Sequence, residues 1–126
     1  MGFRPFGPGM ENYKTILRRE FNAEDGSFLL QLRCDFIWDK AAFSRLILAM
    51  EKCAIAHERR RAIQRWIAQG FWYLETFVPD WSRHPNFPRP HGDEYYENAY
   101  ERLRDLSYWF FMGESPYEPG GPLRPL

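Results

Sequence analysis

The sequence predicts a small, mainly α-helical single domain, a bundle of four or five helices crossed by a proline-rich strap. Three observations carry this. At 126 residues the chain fits one domain and can bury roughly two-thirds of its unfolded surface without help from a metal or disulfide. Long segments place apolar residues at helical spacings of three and four. Proline and glycine gather at the two ends and in one internal stretch, so the helical segments are left uninterrupted. The folded unit is therefore expected over residues 12–113. The flanking 1–11 ("GFRPFGPG") and 114–126 ("ESPYEPGGPLRPL") lack periodicity and read as flexible tails.

Tyr13, Ile16, Leu17 and Glu20 share a helical spacing, and "AEDGS" then reads as a turn. Residues 28–38 satisfy two periods. Phe28, Leu29, Leu32 and Phe36 make a helical face with Ser27 as cap, whereas Phe28, Leu30, Leu32, Cys34, Phe36 and Trp38 alternate as a strand would. A short apolar run is not settled by periodicity alone. Two short helices are favoured, and the alternative is an α+β fold with a β-hairpin over 13–36.

The clearest helix starts at Asp39, a good N-cap, and carries Phe43, Leu46, Ile47, Met50 and Ala54 on one face. A second stripe follows: Ile63, Trp66, Ile67, Gly70, Phe71, Leu74, Phe77 and Val78, with Pro79 as its expected stop. At about 100° per residue, Ile63 lies roughly 200° around the axis from Phe43. Both stripes face inward only if the chain breaks near His57–Arg59. One long central helix with neighbours on both sides is the other solution. The segment "PDWSRHPNFPRPHG" at 79–92 holds four prolines, which exclude regular structure and suggest a strap pinned by Trp81 and Phe87. The last helix is expected over 93–112, capped by Asp93 and ended by Gly113, with Tyr96, Ala99, Leu103, Leu106 and Phe110 inward.

Formal net charge is zero, so no global attraction to nucleic acid or anionic lipid exists. No run approaches the roughly 20 apolar residues of a membrane span, and no signal peptide is read at the N-terminus, so the protein is expected in the cytoplasm. Cys34 and Cys53 lie among apolar neighbours and are expected to be buried, reduced thiols. The three histidines and the acids fall in no metal-ligand spacing, and no phosphate-cradling glycine loop occurs. Neither a metal nor another cofactor is expected. A Cys34–His57 pair is the one formal nucleophile candidate, and its support is weakest.

The anomaly is an aromatic content of 18%. Most rings fall on the inward stripes, but Trp72 and Tyr108 fall about 180° away from theirs, and Trp109 and Phe111 flank the second. Two helices that turn apolar all round near their ends must be covered or must bind something. The functional expectation is a non-enzymatic protein-interaction module, a subunit of a larger assembly or an inhibitor of another protein, with a protein partner or a second copy as ligand. Its candidate residues are Trp72, Tyr108 and Trp109. Charged contributors are Arg59, Arg60 and Arg61 of the "HERRR" run and a strip of Glu97, Glu101 and Asp105. The alternatives are nucleic-acid binding through the arginines at 59–65, and an enzyme of unassigned class.

Overall fold

The computed structural model describes residues 8–117 and 126, with side chains from Tyr13 onward in the first helix. Of the expected tails at 1–11 and 114–126, residues 1–7 and 118–125 lie outside the described residues. Five helices form: α1 (Pro8–Phe21), α2 (Phe28–Asp35), α3 (Lys40–Ala56), α4 (Arg65–Ser82) and α5 (Asp93–Met112). No strand occurs among the described residues, so the helical alternative for 13–36 holds and the hairpin does not. α3 packs between α1 and α5, α5 packs on α4, and α4 meets α1 to close the ring. The short α2 bridges α1 and α3 at one end.

The start of α2 is built twice over. Ser27 Oγ accepts from the Leu30 amide at 3.2 Å. The buried carboxylate of Glu20 accepts from the Phe28 amide at 3.0 Å and the Leu29 amide at 3.4 Å. An eight-residue helix is too short to persist alone, and these contacts satisfy amides that no helical carbonyl can reach. Asp39 caps α3 as expected, accepting from the Ala42 amide at 3.1 Å. The apolar faces read from sequence on α3 and α5 are all buried.

The chain does break after α3. His57 through Gln64 form an irregular connection, and Ile63, expected on the α4 stripe, lies exposed within it. Pro79 does not end α4, which runs on to Ser82. Proline removes one intrahelical hydrogen bond, but the last turn is held elsewhere. Trp81 Nε1 donates to the Leu32 carbonyl at 2.9 Å, and Ser82 Oγ lies 2.7 Å from the Val78 carbonyl and 2.6 Å from Tyr100 Oη. Asp93 is the first residue of α5 and not its cap, which is Gly92 at φ 89°. Gly113 ends α5 at φ 77°, its amide bonded to the Trp109 carbonyl. Cys34 is exposed, contrary to expectation, because α2 turns it away from the core; Cys53 is buried, and both thiols are free.

The strap between α4 and α5 is pinned by Phe87, which is buried. His91 Nε2 lies 3.0 Å from the Trp38 carbonyl. Arg89 lies over the Tyr96 ring at 4.5 Å and pairs with Asp93 at 3.5 Å.

Candidate functional site

The candidate site is the solvent side of the α4–α5 pair. The two helices run antiparallel: Arg83 meets Glu97 at one end, and Phe71 stacks on Phe110 at 4.4 Å toward the other. Ser107 Oγ donates to the Phe71 carbonyl at 3.4 Å. The residues that follow each of these, Trp72 and Tyr108, turn outward. Trp72 is 60% exposed and Tyr108 43%, and Phe111 and Met112 are exposed beyond Tyr108. The Tyr108 hydroxyl donates to Glu114 at 3.2 Å.

Trp72 also lines an open groove of about 500 Å³ between α4 and the ends of α1 and α2. Phe21, Leu29, Trp66 and Tyr73 supply apolar walls, and Arg33 stands at its side. Gly70 makes the wall possible, since a Cβ there would overlap the Phe21 ring. The Trp66 Nε1 is buried with no acceptor among the described residues, and the Arg18 guanidinium covers its ring at 4.5 Å. Arg33 makes no ion pair among the described residues; its guanidinium lies 5.9 Å from the Phe77 ring.

Trp109 does not join this face. It is 7% exposed, and its indole N–H donates to Glu58 Oε2 at 2.7 Å, tying α5 to the connection that follows α3. Arg59 and Arg61 are exposed in that connection and make no ion pair among the described residues. Arg60 is engaged at His57. The acidic strip is partly spent within the chain: Glu97 takes Arg83 at 3.1 Å, and Asp105 accepts from the Tyr117 hydroxyl at 3.1 Å. Glu101 stands exposed and makes no ion pair among the described residues.

The histidine that sequence offered to Cys34 sits instead beside Cys53. Arg60 Nη1 faces His57 Nε2 at 3.3 Å and can only donate, so the imidazole proton is on Nδ1 and goes to the Cys53 carbonyl at 2.8 Å. Burial pushes the Cys53 thiol up to about 12, and burial holds the His57 imidazole below its ordinary value. A protonated thiol and a committed imidazole are the reverse of an activated nucleophile pair. Among the described residues no three His, Cys, Asp or Glu side chains converge to hold a metal ion, and no helix is long and apolar enough to cross a membrane.

Sequence reasoning missed the groove. Its walls come from three helices, and only the out-of-register Trp72 and the mid-helix Gly70 signalled it. No protein-family model, no curated protein and no solved structure matches the chain.

Proposed function

We propose that the chain is a non-enzymatic protein-interaction module, a subunit of a larger assembly or an inhibitor of another protein, that binds through the outer side of α4 and α5. The observation that carries this is Trp72. An indole left 60% exposed on a well-packed helix, beside a groove walled by Trp66 and Tyr73, is the type of anchor that dominates protein interfaces. Phe111 and Met112 extend the apolar area, and Arg33, which makes no ion pair among the described residues, adds a donor.

The test combines Trp72→Ala with Tyr108→Ala. Self-association is followed by analytical ultracentrifugation, and partner capture from host extract at moderate salt by mass spectrometry. Loss of one anchor of this type weakens a complex about 30-fold, the effect of roughly 2 kcal/mol. If the double variant keeps every contact of the parent chain, the proposal fails.

A second reading rests on Arg59, Arg61 and Arg65, which are exposed and make no ion pair among the described residues. They offer a short phosphate-binding run. Affinity that falls steeply with salt would favour nucleic acid, because neutralising phosphates releases counterions. An aromatic interface loses little under the same change.

A further inference from the structure

A second cavity lies away from Trp72, where the ends of α2 and α4 meet the strap. Its walls are the rings of Phe36, Trp81 and Phe87, with His84 and Asn86 at the side. The Phe36 ring stands 5.7 Å from Trp81 and 6.2 Å from Phe87. The space between them is about 130 Å³ and is partly open to solvent. An engineered apolar cavity of about 150 Å³ admits benzene, so this one has the size of a single aromatic ring.

The position of Phe36 is the second observation. It caps α2 in the left-handed conformation, φ 55° and ψ 37°, with its amide bonded to the Gln31 carbonyl. That place is ordinarily taken by glycine, and a bulky side chain there is strained. A ring held under strain for packing alone would be covered. Phe36 stays 44% exposed, with an open space beside it. Strain of this kind persists where the surrounding structure fixes it, and it concentrates at binding sites.

The chemistry of the walls selects the ligand. Among the described residues no carboxylate, guanidinium or ammonium lines the cavity, so a charged ligand would lose hydration without compensation there. The Trp81 N–H is already given to the Leu32 carbonyl, so that indole offers only apolar surface. His84 Nδ1 accepts the Asn86 amide at 3.2 Å, and its Nε2 has no partner among the described residues. With Nδ1 accepting, the imidazole proton is on Nε2, and we propose that this cavity binds a neutral phenol: one ring between Phe36, Trp81 and Phe87, and one hydroxyl whose oxygen accepts from the His84 Nε2–H.

The test is a titration of the full chain with phenol, followed by chemical shifts of the Phe36, Trp81, His84 and Phe87 rings. Saturable shifts with a dissociation constant of about 1 mM or tighter are expected, within reach of a ligand of about seven non-hydrogen atoms. Phe36→Tyr should keep binding. Phe36→Gly, which suits the left-handed backbone, should weaken it about tenfold or more while the fold is kept. His84→Ala, at an exposed site, should weaken phenol and leave toluene unchanged, which separates a hydroxyl contact from ring burial even if the Phe36 variant is perturbed. Shifts that never saturate, equal binding of cyclohexanol, or full affinity in Phe36→Gly would each overturn the proposal.

Discussion

Two indoles show how this chain treats its rings. Trp38 lies in the short linker between α2 and α3 and is 3% exposed. Phe28, Phe43 and Tyr96 surround it with centroids at 4.9, 5.0 and 5.1 Å, and its N–H donates to the Tyr95 hydroxyl at 3.0 Å. Trp72 sits on a regular helix, is 60% exposed, and makes no hydrogen bond among the described residues. One indole gathers a linker, three helices and the strap into a core; the other is left to solvent by the same fold. Ring content alone therefore says nothing about role. What decides it is whether a second element arrives to cover the ring and take its N–H.

The sharpest way to break this comparison is Trp38→Ala. Removing a buried ring of this size should cost about 3–5 kcal/mol, read from the midpoint of urea unfolding. A loss near zero would mean that the cluster does not hold the bundle. Glu20→Ala comes next. It leaves the first amides of α2 unsatisfied in a buried place and should cost about 1–3 kcal/mol. Asp39→Ala removes the α3 cap and should cost about 1 kcal/mol. Asp39 adjoins Trp38 and does not line the groove beside Trp72, so its change should not alter contacts made by Trp72, whereas Glu20 holds the amide of the groove residue Leu29.

A pH profile sharpens the other side. His57 is buried against Phe110 at 5.3 Å, beneath the end of α5 that carries the open rings. Its folded-state pKa lies below the ordinary 6.5 because burial disfavours the cation, with Arg60 and Lys14 adding repulsion. Between the two values the unfolded chain binds more protons, so stability is lost as pH falls from 6.5 through the folded value. His57→Gln should flatten that decline in melting temperature. The smallest stability effect belongs to Trp72→Ala, within about 0.5 kcal/mol, although it should have the largest effect on binding.

Much of the fold was legible. Phe43, Leu46, Ile47 and Met50 keep helical spacing under an Asp cap, and the mismatch in angle between two stripes favoured, over one long helix, the break that follows Ala56. These are local signals. Several misreadings needed a distant partner. Pro79 stays inside α4 because Trp81 reaches Leu32 and Ser82 reaches Tyr100. Trp109 is covered because Glu58, fifty-one positions away, takes its N–H. Glu20 looked like one more residue on a helical face and proved to cap a different helix. Of the candidate site, Trp72 and Tyr108 were readable from angle alone. The groove beside Trp72 was not, because Phe21, Leu29 and Tyr73 meet only in the folded chain.

Hydroxyl-radical footprinting with residue-resolved mass spectrometry tests the central claim most directly, applied first to the purified chain and then in host cells. Trp72 and Met112 should be oxidised far faster than Trp38 and Trp109 in the purified protein, and Trp72 should become protected in the cell. A Trp72 as slow as Trp38 in isolation, or one equally reactive in both settings, would contradict the account.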